Sequence, residues 1–103
     1  MTLSIIIVNY RSWKHTEIAI QNLLPDLPNN WEIIVIDNES QTDLVEKYKN
    51  IFPNIQIISY IENLGFGGGC RAGVKKSQGK ILLFMNPDAK AKVEDIQSLI
   101  TLK

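Results

Sequence analysis

Glu32-Ile33-Ile34-Val35-Ile36-Asp37-Asn38-Glu39-Ser40 is an aliphatic run that stops abruptly on a carboxylate and a polar turn. Every position from Ile33 to Ile36 is apolar, so the run has no solvent face. A strand of that kind is covered on both sides, as in a parallel sheet lying between helices. Glu32 to Ile36 is therefore expected to be a buried parallel strand carrying Asp37 at its carboxyl end. Three further runs share the pattern: Leu3 to Val8 leads into Asn9, Ile55 to Tyr60 runs toward Asn63, and Ile81 to Met85 ends in Asn86-Pro87-Asp88. Parallel strands bring their carboxyl ends to one edge, which predicts Asn9, Asp37, Asn63 and Asp88 around a single crevice. Open α/β sheets bind ligands at that edge.

Helical patterns separate the strands. Trp13 to Leu24 places Ile20, Leu23 and Leu24 on one stripe, follows a candidate N-cap at Ser12 and is stopped by Pro25. Ser40 to Asp43 has the Ser-x-x-acid form of a capping box, and the helix it opens runs to about Asn50, before Pro53. A crossover requires a helix from about Gly67 to Ser77, although consecutive glycines weaken its start. Val93, Ile96, Leu99 and Ile100 recur at helical spacing. Strand and helix thus alternate four times, which implies an α/β fold with a mainly parallel sheet of about four strands and right-handed crossovers. The last strand ends the sheet with little protection, so pairing with further chain or a second copy through that edge is expected.

At 103 residues the chain has room for one core. Eleven basic and eleven acidic residues cancel, so no basic field favours nucleic acid and an anionic ligand must be held by local groups. One cysteine, Cys70, excludes an internal disulfide. With a single histidine, His15, a Cys/His zinc cage is excluded too. The apolar start is only a strand in length and has neither the charged flank nor the cleavage site of a secretory signal. It predicts no membrane span and a cytoplasmic domain.

Asp37, beside the start of the next helix, is placed either to accept hydrogen bonds from a base imide or ribose hydroxyl, or to cap its own turn. In Asn86-Pro87-Asp88, Pro87 fixes the turn and removes a donor, leaving Asn86 and Asp88 to face the crevice or simply to form a turn. A Mg²⁺ or Mn²⁺ ion on a diphosphate needs only one or two protein carboxylates, so Asp88 would suffice. In Asn63-Leu64-Gly65-Phe66-Gly67-Gly68-Gly69 the glycines let backbone approach a ligand closely. Gly67, Gly69 and Ala72 also fit the spacing of a dinucleotide fingerprint with Asp88 as its ribose acid, but Ile61 to Phe66 intervene between strand and glycines. No P-loop is present. His15, Arg71, Lys75 and Lys76 read as solvated helix faces, Cys70 as a packed small residue, and Trp13 and Trp31 as core or rim aromatics.

Four segments in order resemble the amino-terminal half of a family 2 glycosyltransferase with the glycosyltransferase-A fold, and within it the bacterial rhamnosyltransferase-like branch. They are Ser4 to Tyr10 (Ser-Ile-Ile-Ile-Val-Asn-Tyr), Ile34 to Ser40 (Ile-Val-Ile-Asp-Asn-Glu-Ser), Glu62 to Gly69 (Glu-Asn-Leu-Gly-Phe-Gly-Gly-Gly) and Gly79 to Ala89, which contains Asn86-Pro87-Asp88. The resemblance implies a three-layer α/β/α, Rossmann-like nucleotide-binding half. Val8, Asn9 and Tyr10 would line the base pocket, and Asp37 would bond the uracil or thymine imide. Asn63 and Gly65 would shape the nucleotide cleft. Asn86 and Asp88 stand at the family's Asp-x-Asp position, with Asp88 alone as the carboxylate that binds Mg²⁺ or Mn²⁺.

The implied activity is inverting, metal-assisted transfer from a UDP- or dTDP-sugar to an acceptor hydroxyl on a saccharide or lipid-linked substrate, as in polysaccharide biosynthesis. Relatives carry the general base in a following acceptor half. Residues 1–103 are thus expected to be a donor-binding piece of a longer transferase, inactive alone, with no catalytic residue of their own. Two other classes fit parts of the sequence: a non-catalytic interaction module pairing through its sheet edge or last helix, and a dinucleotide-dependent oxidoreductase fragment.

Overall fold

The computed structural model describes residues 1–39 and 42–101, with side chains except at Thr42. In chain order the elements are β1 (Leu3–Tyr10), α1 (Trp13–Leu23), β2 (Trp31–Asn38), α2 (Thr42–Ile51), β3 (Gln56–Tyr60), α3 (Gly65–Lys76), β4 (Ile81–Met85) and α4 (Val93–Thr101). A 3-10 turn over Leu24–Asp26, with Pro25 at its start, ends α1.

All strand pairings are parallel, in the order β3-β2-β1-β4. The chain steps outward from β1 to β2 to β3, then crosses back to place β4 on the other side of β1. Right-handed crossovers in opposite directions put their helices on opposite faces. Accordingly Ile5, Ile7, Ile33, Val35 and Ile57 pack with Ala19 and Ile20 of α1, Tyr48 of α2, and Val93 and Ile96 of α4. The intervening residues Ile6, Ile34 and Ile36 pack with Ala72 of α3 on the reverse face. The α/β/α sandwich read from the aliphatic runs is present, with three helices on one face and one on the other.

That asymmetry corrects one expectation. The strands are not all covered on both faces: Phe84, on the edge strand β4, is 44% exposed. The outer side of β4 has no partner strand among the described residues.

Close approach of α3 to the sheet explains two of its glycines. A Cβ on Gly73 would sit 2.5 Å from Ile6 Cγ2, and one on Gly69 would sit 2.7 Å from Val8 Cγ1. Both exist to let the helix lie on β1, which removes Gly69 from the dinucleotide fingerprint reading. The helix begins at Gly65, two residues before the predicted start. At the opposite end of the sheet, Ser4 Oγ and the Gln78 amide both donate to Glu32, and the Gly79 amide donates to Ser4 Oγ, which fastens the crossover into β4.

Candidate functional site

β1 and β2 pair in register from Leu3 with Trp31 to Tyr10 with Asn38, so Asn9 and Asp37 stand side by side at the carboxyl edge. Met85 pairs with Ile7, so the chain leaves β4 toward Asn86 and Asp88 at the same edge. The strand order reverses at β1, and the crevice of such a sheet lies outside that strand's carboxyl end.

Asp37 is almost fully buried, at 3% exposure. A carboxylate there needs hydrogen-bond donors. Asn9 Nδ2 donates to its Oδ1 at 2.9 Å and Trp13 Nε1 to its Oδ2 at 3.1 Å. Asn9 is itself fixed, because Thr16 Oγ1 donates to its Oδ1 at 2.6 Å. The Trp13 ring stacks on Tyr48 at 4.2 Å between centroids with 7° between planes, an arrangement worth ~0.5–1.5 kcal/mol beyond burial. Tyr48 Oη donates to Glu17 at 3.0 Å. Burial, and after it this bond, raises the Tyr48 hydroxyl above its ordinary pKa.

Asn38 points to the other face. Its Nδ2 donates to the Gly65 carbonyl at 3.1 Å, and its Oδ1 accepts the Leu64 amide at 3.4 Å. Asn63 Oδ1 accepts the Gly65 amide at 2.9 Å, closing a small turn. Gly65 has φ of +72°, which suits glycine best.

A cleft of about 560 Å³ opens beside Asp37. Trp13, Tyr48 and Leu44 form part of its wall, and Arg11, Lys14 and Lys47 set positive charge against Asp37 and Glu39. Arg11 and Glu39, just past β1 and β2, form an ion pair, and both have positive φ, 52° and 57°. The hydrogen bond to Glu39, and then its charge, raise the pKa of the Arg11 guanidinium. The guanidinium also lies 5.2 Å over the Tyr10 ring.

The predicted residues divide unevenly. Asn9 and Asp37 touch each other, and Asp37 lines the cleft. Val8 is buried against α3, and Asn9 is fully buried under Thr16. Tyr10 is exposed. Asn63 and Gly65 are exposed on the glycine loop. Asn86 and Asp88 are exposed, with the Asn86 carbonyl accepting the Ala89 amide in a turn. His15 is exposed as expected, but it also lines the cleft.

Ser12 does not cap α1 through its side chain; its hydroxyl donates to the Tyr10 carbonyl because the chain turns back at Arg11. The predicted capping box begins at Ser40, outside the described residues. Sequence reasoning missed Trp13 as a partner of Asp37, Asn38 as the clasp of the glycine loop, and the Arg11–Glu39 pair. An asparagine directly after the strand-end acid was the available signal for Asn38, since neighbours in a strand face opposite ways.

Burial raises the pKa of the Cys70 thiol, with Arg71 partly opposing it, so the group is ill suited to act as a nucleophile. Among the described residues no three His, Cys, Asp or Glu side chains converge as a metal cage. A divalent ion held by a single carboxylate would have to complete its shell from phosphate oxygens and water. No helix among the described residues is long and apolar enough to cross a membrane.

Residues 4–102 match the family model described as glycosyl transferase family 2. A relative from Saccharomyces cerevisiae, dolichyl-phosphate beta-glucosyltransferase, is 30% identical over 90 residues, covering 80% of this chain and 27% of the relative. The crystal structure of Staphylococcus aureus TarS 1-349 superposes with a TM-score of 0.76 at 26% identity, covering 97% of this chain and 31% of that one. TarS 1-349 in complex with UDP gives 0.67 at 28% identity, covering 97% and 32%. The chain thus spans about a third or less of the length of these similar proteins.

Proposed function

The chain belongs to glycosyl transferase family 2, a family of sugar-transferring enzymes, and from that premise we propose that residues 1–103 hold the nucleotide of a UDP- or dTDP-sugar donor. One observation carries the reading. Asp37 is a buried carboxylate at the carboxyl end of a central strand, held by donors from two other elements, and it borders an open cleft. A carboxylate only accepts hydrogen bonds, so it selects a ligand that presents N–H or O–H, as a uracil or thymine imide and a ribose do. The similar TarS has been solved with UDP, which supports a uridine ligand here.

In this reading Tyr10 offers a ring face to the base, and Val8 and Asn9 support the pocket from beneath. Asn63 and Gly65 shape the far side. Asn86 and Asp88 lie toward the diphosphate, and Asp88 would hold Mg²⁺ or Mn²⁺ together with phosphate oxygens. Such an ion supplies charge neutralisation for the departing nucleoside diphosphate. This reading assigns residues 1–103 the donor nucleotide and assigns them neither the general base nor the saccharide or lipid-linked acceptor site.

Titration calorimetry with UDP, with and without Mn²⁺, on wild type and Asp37→Ala tests the assignment. Binding in the wild type that is lost in the variant supports it; equal affinity removes it.

The half-exposed Phe84 and the outer side of β4, which has no partner strand among the described residues, favour a second reading, association through that edge. Sedimentation separates the two, since a tight dimer indifferent to UDP supports association instead.

A further inference from the structure

We infer that the first turns of α1 are a positioning device for the Asp37 carboxylate, with Trp13 and Thr16 as its positioning residues. The inference rests on the donor-binding reading of Asp37 and adds two side chains that orient that carboxylate.

Trp13, Thr16 and Glu17 stand at i, i+3 and i+4, so they share one face of α1. Each reaches a different element. Trp13 donates directly to Asp37 on β2. Thr16 donates to Asn9 on β1, whose amide then donates to Asp37. Glu17 accepts from Tyr48 on α2, whose ring is stacked on Trp13. The circuit closes on itself. The stack fixes the plane of the indole, and within that plane its N–H is aimed at Asp37 Oδ2.

Proton accounting fixes the other side. A carboxylate accepts and does not donate, so Asn9 must turn its NH₂ toward Asp37 and its carbonyl away. The carbonyl, in a fully buried residue, then needs a donor, and among the described residues the hydroxyl proton of Thr16 supplies it. In a helix a threonine hydroxyl commonly bonds back to the carbonyl four residues earlier; here its proton goes to Asn9. Both carboxylate oxygens are thereby held through side chains of α1, Oδ2 directly by Trp13 and Oδ1 by way of Asn9.

The test uses the 103-residue chain and two substitutions that keep shape. Trp13→Phe retains a ring to stack on Tyr48 and removes the indole N–H. Thr16→Val retains the branched side chain and removes the hydroxyl. UDP and CDP serve as probes, because uracil carries a proton at N3 and cytosine carries a lone pair there. Hydrogen bonds to charged groups are strong enough that losing the indole donor is expected to weaken UDP by about tenfold, and losing the threonine donor by about threefold. CDP is expected to change little, so the preference for UDP over CDP shrinks in both variants while circular dichroism stays native.

A variant that binds UDP as the wild type does, or that loses UDP and CDP by the same factor, overturns the inference, since a merely structural role predicts the parallel loss. Should Trp13→Phe fail to fold, Thr16→Val alone decides. A wild type that ignores UDP brings down the donor reading and the inference with it, whereas a binding wild type with unaltered variants brings down the inference only.

Discussion

Arg11 and Glu39 occupy the first positions past β1 and β2, both in left-handed backbone, and their side chains pair across the gap between the two strand ends. Non-glycine residues adopt that conformation at a cost of about 1 kcal/mol or more each, and such positions concentrate at functional sites. The ion pair returns little of this, since Arg11 is two-thirds exposed and exposed pairs contribute about 0–1 kcal/mol.

Glu39→Gly relieves the backbone while losing the pair, so urea denaturation should give a stability equal to the wild type or higher by up to about 1 kcal/mol. Arg11→Ala loses the pair and keeps the strained backbone, and should lower stability by less than about 1 kcal/mol. A loss of several kcal/mol in Glu39→Gly would show that the pair holds the strand ends together.

Asp37→Asn is nearly isosteric but brings an NH₂ group where donors already point. Asn9 Nδ2 and Trp13 Nε1 both face the carboxylate, so one donor is left buried and unsatisfied. The expected cost is about 1–3 kcal/mol, read as a lower urea midpoint with an unchanged slope.

Tyr48 sets the alkaline limit of one part of the stability. Its pKa is raised in the fold, by burial first and the bond to Glu17 second. The folded state therefore holds this proton more tightly than the unfolded chain does. The stabilisation is complete below the unfolded tyrosine pKa of about 10 and is lost as pH rises through the higher folded value. Stability measured from pH 8 to 12 should fall above about pH 10, and Tyr48→Phe should flatten that fall.

The glycines of α3 should respond in opposite directions to alanine. At Gly73 the added Cβ meets Ile6 at 2.5 Å, which predicts a loss of about 1–3 kcal/mol. At Gly67 the nearest atom is the flexible end of Arg71 at 3.6 Å, which predicts a gain of about 0.5–1 kcal/mol from helix propensity. Chemical denaturation of both variants checks the signs.

Much of the scaffold could be read from the aliphatic runs, because a strand covered on both faces leaves no polar alternation, and few folds provide that cover. The strand ends were less legible. β1 continues through Asn9 and Tyr10 because these polar residues still pair with Asp37 and Asn38, a contact between positions 28 apart that local pattern does not show. Trp13 looked like packing material, since its ring is indeed buried, and nothing in the neighbouring residues reveals where an indole N–H will point. A glycine that receives a helix backbone and one that receives a ligand are identical in sequence; only the distance from Gly69 to Val8 separates them.

Asp37 and Asn38 are consecutive, yet the first serves the α1 layer and the second clasps the glycine loop beneath α3. Deleting one residue within β2 would bring Asn38 to the indole and Glu39 to the clasp, whereas inserting one would bring Ile36 to the indole and Asp37 to the clasp. Either change takes the carboxylate from the indole N–H and sets a negative charge against the Gly65 carbonyl oxygen, so the length of β2 is constrained at its tip. Divergent copies of this strand are free to exchange one aliphatic residue for another, but an odd-numbered insertion is barred.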